Sequence, residues 1–134
     1  MVKELTRLGV FAAILDGGGH ILLVHQTETG RWTLPGGGVR FGEPPSAALH
    51  REVDEETGYR IVRSTLIGVH DNVYDPGDGI RRHGVRLLYR TEVEGALDLR
   101  SPEEIDDAGW FPVESLPDSI TDWAALAASL ADAG

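Results

Sequence analysis

A glycine-rich turn that feeds an acidic helix constrains this chain more than any other feature. Residues 44–57 read as the first convincing helix, Pro35-Gly36-Gly37-Gly38 form a sharp loop ahead of it, and Gly58 is placed to end it as a left-handed cap. At ~100° per residue, Glu52, Glu55 and Glu56 fall within an arc of about 100°, with Leu49 and Val53 on the flank beside them. Carboxylates at i,i+3 and i,i+4 repel each other, so a helix does not gather them for stability. Hard divalent cations take oxygen ligands, and Mg²⁺ is usually held by a few carboxylates together with substrate phosphate oxygens. The plain alternative is a solvated acidic face. A turn without Cβ atoms lets the backbone approach a ligand closely, although most such turns are only turns.

The rest of the chain supplies a scaffold for that segment. Residues 8–15 read as a buried strand, Asp16-Gly17-Gly18-Gly19 as a turn, and residues 21–25 as the returning strand of a hairpin. A polar loop (27–31) and a short extended piece (32–34) lead to the glycine loop. Beyond the helix, residues 59–73 and 85–93 read as strands joined by a turn-rich loop, 74–82. An acidic irregular stretch, 95–107, precedes a short strand at 108–113. The last element is a helix with Trp123, Leu126 and Leu130 on one face. Interleaved strands and helices imply an α+β fold, a mixed sheet with helices packed on it. At 134 residues we expect a single domain, 1–134.

Charge and composition exclude several roles. Twelve Lys and Arg against 22 Asp and Glu give a formal charge of −10, a surface that repels duplex nucleic acid and anionic lipid. No apolar run approaches the ~20 residues of a membrane span, and the N-terminus does not read as a signal peptide. With no cysteine there is no disulfide framework, Cys-ligated zinc or thiol nucleophile, and a cytoplasmic location is the default expectation. A small phosphorylated substrate is still compatible, because a bound divalent cation inverts the local field.

Gly37, Glu43, Arg51, Glu52, Val53, Glu55, Glu56 and Gly58 fit the pattern G-x5-E-x7-R-E-U-x-E-E-x-G-U, where U is bulky and apolar. This resembles the Nudix box of the Nudix hydrolase family, over residues 37–59, with Tyr59 at the last apolar position as the one departure. The resemblance implies a Nudix-type α/β/α sandwich with the box as a loop–helix–loop motif. It implies hydrolysis of a nucleoside diphosphate linked to another moiety, with Mg²⁺ or Mn²⁺ as cofactor. Carried over by position, Glu52, Glu55 and Glu56 bind metal, and the Gly36 carbonyl is a further ligand. Glu43 helps through water or by orienting its neighbours. Arg51 holds a box carboxylate in place, a role compatible with an ordinary i,i+4 pair to Glu55. Glu52 is the base or its closest helper, and Glu55 and Arg51 complete the catalytic set. Some members take the base from a loop outside the box. Glu103 and Glu104 sit in such a loop, and Glu104 is the better match to an extra metal-binding glutamate; a solvated acidic loop is the alternative.

Candidates for contact with substrate are His25, Gln26, Arg31, Arg82 and Tyr74, with Trp32, Arg81 and Arg86 behind them. His20, His50, His70 and His83 show no metal spacing and read as structural or exposed. The substrate is a small-molecule nucleotide, either a nucleoside triphosphate or a nucleotide sugar. The short chain, without room for an additional N-terminal domain, leans towards triphosphates. A non-catalytic Nudix-type nucleotide-binding sensor is the alternative, although such domains generally lose box glutamates. A small acidic interaction domain is the third option, and a homodimer is compatible with any of the three.

Overall fold

The apolar runs near the start of the chain are hydrophobic on both faces, and the computed structural model, which describes residues 3–133, shows why. Strand β1 (Lys3–Ile14) sends Val10, Ala12 and Ile14 into one core with Ala48, Leu49 and Val53 of helix α1 (Pro45–Thr57). Ala13 points the other way, into a second core with Ala124, Ala127, Ala128 and Ala131 of helix α2 (Asp122–Ala133). Strand β2 (His20–Gln26) divides likewise, Leu22 to the first core and Ile21 and Leu23 to the second. Strands covered on both faces need no polar alternation. The result is a sandwich of helix, sheet and helix, as the family resemblance implies.

The strands form two sheets. A mixed four-stranded sheet has the order β4 (Gly36–Gly38), β1, β6 (Ile80–Glu94), β5 (Arg60–Tyr74), with β1 parallel to β6 and the other pairs antiparallel. An antiparallel sheet has the order β3 (Trp32–Thr33), β2, β7 (Ile105–Pro112). No helix among the described residues is long and apolar enough to cross a membrane.

Three expectations need correction. The turn at Asp16 forms, with Asp16 Oδ1 accepting the N–H groups of Gly18 and His20 at 2.7 and 3.0 Å. It does not make a hairpin: β1 and β2 touch through the single bridge Leu15 to Ile21 and then join different sheets. The longer ladder prevails, since β1 pairs with β6 along its whole length, from Lys3 opposite Ile80 to Ile14 opposite Thr91. Second, Gly36–Gly38 is a short edge strand rather than a loop, with Phe11 opposite Gly36 and Val10 opposite Gly37. A Cβ on Gly36 would stand 2.1 Å from the Val10 carbonyl oxygen, so only glycine fits this approach. Third, α2 buries its alanine stripe, which lets the helix lie close to the sheet, while Leu126 is exposed.

The central helix follows expectation closely. Pro45 occupies the first turn, where its missing N–H costs nothing. Gly58, at φ 74°, donates its N–H to the Asp54 carbonyl at 3.0 Å and ends the helix. The chain then returns across this end: Asp98 N–H reaches the Thr57 carbonyl at 2.7 Å, and Ser101 Oγ the Glu55 carbonyl at 3.3 Å. That crossing carries the acidic loop back to α1.

Candidate active site

Two sets of acids leave the same helix in different settings. On its outer flank, Arg51 donates Nε and Nη2 to the two carboxylate oxygens of Glu43, both at 2.9 Å. Its Nη1 donates to Glu52 Oε1 at 2.7 Å, and Nη2 also reaches the Gly38 carbonyl at 3.0 Å. These bonds hold the Glu43 carboxyl down at about 2, with help from the Arg40 N–H, and push the Arg51 guanidinium above its ordinary value. Arg51 is therefore a brace that ties the loop, β4 and Glu52 together. Glu43 is bound to this brace and to the Arg40 N–H. Glu55 stands on the rim, about half exposed, with Arg51 Nη1 at 3.5 Å.

Glu56 is the opposite case. It lies on the buried stripe of α1 with Leu49 and Val53 and is 5% exposed. One weak bond serves it, from the Gly36 N–H at 3.4 Å, and no cation pairs with it among the described residues. Burial, and then the negative charge of Glu52, push its pKa well above the ordinary carboxyl range, and Glu104 adds to the shift.

Glu52, Glu56, Glu103 and Glu104 line one cavity of about 380 Å³ with Gly36 and Gly37. A Cβ on Gly37 would come within 2.7 Å of the Glu52 carboxyl carbon, so that glycine makes room for the acid. The acidic loop is pinned there by the Glu104 carbonyl, which accepts the Thr27 N–H at 2.9 Å. Among the described residues no three acids or histidines converge as a finished ligand set, and Glu52 is turned towards Arg51. The donors nonetheless fit a hard cation: they are all oxygen, they share a cavity, and one is a buried carboxylate without a counter-charge.

Of the substrate candidates, Gln26 lines this cavity, and Tyr74 and Arg31 line its continuation. His25 does not; Nδ1 lies 2.6 Å from Asp106 Oδ1 and its ring packs edge-on against Trp32. Trp32 is core packing, 4.8 Å from Phe111. Arg82 is held by Asp78 at 2.8 and 3.0 Å near the far turn of β6, and with Arg81 it lines a separate surface depression. His20 and His83 pair with Asp16 and Asp71. Asn72, Trp123 and Phe11 join Arg86 along the groove, a set with no local sequence signal because β1, β5, β6 and α2 supply it together.

Fold and site thus define a class, an α/β/α sandwich with an acid-lined cavity beside its first helix. A family model described as the NUDIX domain matches residues 5–132, and the chain belongs to the Nudix hydrolase family. It is 31% identical over 130 residues to an RNA pyrophosphohydrolase of Acidiphilium cryptum, covering 83% of this chain and 78% of that one. It is 30% identical over 107 residues to an ADP-ribose pyrophosphatase of Methanocaldococcus jannaschii, covering 78% and 61%. The crystal structure of a MutT NUDIX hydrolase from Burkholderia pseudomallei superposes with a TM-score of 0.79 at 33% identity, covering 93% of this chain and 97% of that chain. The chain spans 33% to 67% of the length of several other curated relatives.

Proposed function

We propose that this protein is a metal-dependent pyrophosphohydrolase that cleaves a nucleoside diphosphate linked to another moiety. The observation that carries this reading is Glu56, a buried and uncompensated carboxylate facing a cavity that Glu52 and Glu104 also line. Glu52, Glu56 and Glu104 would hold Mg²⁺ or Mn²⁺, with Glu55 joining from the rim and the Gly36 carbonyl as a further ligand. Such a cation neutralises the anhydride's charge and stabilises the leaving oxygen.

The chain's own groups do the rest. Glu52 is placed to accept the proton of the attacking water, and Arg51 keeps its carboxylate aimed across Gly37. Gln26 and Tyr74 bound the groove that receives the nucleoside. Between triphosphates and nucleotide sugars we favour triphosphates. RNA pyrophosphohydrolase and ADP-ribose pyrophosphatase, the names of two relatives, bracket the range to test.

The test is a nucleotide panel with Mg²⁺ and with Mn²⁺, with products identified by mass. Hydrolysis of an anhydride bond that stops with EDTA and returns with either metal supports the reading. Full turnover in metal-free buffer, or no turnover of any nucleotide, contradicts it.

A further inference from the structure

Arg86 is 8% exposed, yet among the described residues no carboxylate lies within ion-pair distance of its guanidinium. Its guanidinium carbon sits 4.0 Å over the Trp123 ring. Nη1 donates to Asn72 Oδ1 at 2.8 Å and lies 3.3 Å from His70 Nδ1, while Nε and Nη2, which are not fully buried, meet no protein acceptor among the described residues. Trp123 Nε1 is buried and has no partner among the described residues. Gly84 leaves the space for this arrangement, since a Cβ there would come within 2.6 Å of Nη2. A buried charge is normally paired, so a cation held without an acid in a groove wall points to an acceptor that arrives with a ligand.

Arg86, Trp123 and Tyr74 line two cavities of about 330 and 350 Å³. Both continue from the acidic cavity, the nearer one sharing Phe11, Gln26 and Gly37 with it. We propose that Arg86, seated on Trp123 and held by Asn72, selects the substrate by accepting a nucleobase with a keto oxygen at purine C6 or pyrimidine C4 (guanine, uracil) in preference to one with an amino group there (adenine, cytosine). This deepens the nucleotide-hydrolase reading and rests on it. The wall is rich in donors: the Asn72 carbonyl is already taken by Arg86, which leaves its amide N–H groups beside the guanidinium. A keto oxygen satisfies such a wall, and a guanine edge takes a guanidinium in a bidentate pair. An amino group in place of that keto oxygen, as in adenine or cytosine, would face donors and lose its own hydrogen bonds. Phe11 and Tyr74 give the groove aromatic surface suited to a planar base.

The test uses metal-free protein in EDTA and measures binding of GMP, AMP, UMP and CMP by calorimetry. Each carries the same phosphate, so differences report the base. We expect GMP to bind about ten-fold or more tightly than AMP, and UMP more tightly than CMP. Arg86→Met should erase the preference while its circular dichroism and melting temperature show a folded protein; Arg86→Lys, which keeps the charge but donates from a single nitrogen without the bidentate fork, should restore part of it. In turnover the same variants should lower kcat/KM for keto substrates chiefly through KM. Equal binding of keto and amino bases by the wild type overturns the proposal even where nucleotides are hydrolysed. So does equal weakening of all four ligands in Arg86→Met, the signature of a phosphate contact. If no nucleotide is bound or hydrolysed, the functional reading falls and takes this proposal with it.

Discussion

Glu52 and Glu56 are one helical turn apart and live under opposite conditions. Glu52 belongs to a braced network in which Arg51 also binds Glu43, and each charge there has an opposite charge at hydrogen-bond distance. Glu56 sits in the core stripe with no cation to meet it. A paired carboxylate fixes geometry, whereas an unpaired buried one costs stability that a ligand can restore. The contrast recurs across the groove, where Arg86 is a buried cation without an acid. On the functional reading proposed above, the site pairs charges where it positions groups and leaves them unpaired where a ligand would arrive.

The largest effect expected from breaking this contrast is at Glu52. Glu52→Gln keeps the shape but removes the charge and the base, and kcat should fall by at least ~100-fold. The fold should survive, since repulsion with Glu56 is relieved. Near-normal turnover would remove Glu52 from the chemistry.

A smaller effect separates the loop acids. Both Glu103 and Glu104 line the cavity, but Glu104 is the one that acts on Glu56. Glu104→Gln should raise the Mg²⁺ concentration needed for half-maximal rate by roughly ten-fold, and Glu103→Gln should move it little. A lowered plateau with unchanged metal demand would make Glu104 a base instead of a ligand. No change in either curve would make the loop a bystander.

What the sequence reveals and what it hides follow from distance along the chain. The box acids, Arg51 and the Gly58 cap are legible because helical contacts recur within four residues. The match of Glu43 to Arg51 is visible only through the family pattern. Glu56 shares a stripe with Leu49 and Val53, but its burial depends on a sheet that local spacing does not describe. The absent hairpin has the same cause, because β1 chooses β6, more than sixty residues away, over its neighbour β2. Leu126 misleads by size: close packing on the sheet favours the alanines of α2. Arg86 and Trp123 are 37 residues apart in sequence and meet only in the folded groove.

The smallest effect concerns the brace and its pH dependence. Glu43 is held at about 2 against an ordinary 4.5, so its pairing contributes stability that is complete above pH about 4.5 and lost as pH falls towards 2. The stability difference between wild type and Glu43→Gln should be flat from pH 5 to 8 and shrink below. A difference that persists undiminished down to pH 2 would show that charge at Glu43 does not support the fold.

Thermal melting of wild type and Glu56→Gln, in EDTA and with Mg²⁺, tests the central contrast most directly. Because the folded state raises the Glu56 pKa, it holds that proton more tightly than the unfolded chain does. Metal-free wild type should therefore lose stability as pH climbs above the ordinary carboxyl value of 4.5. At pH 7.5 in EDTA, Glu56→Gln should melt higher than wild type; Mg²⁺ should raise the melting temperature of wild type and leave the variant almost unmoved. A variant that melts lower than wild type in EDTA, or gains as much from Mg²⁺, would contradict the reading of Glu56 as an acid kept unpaired for a cation.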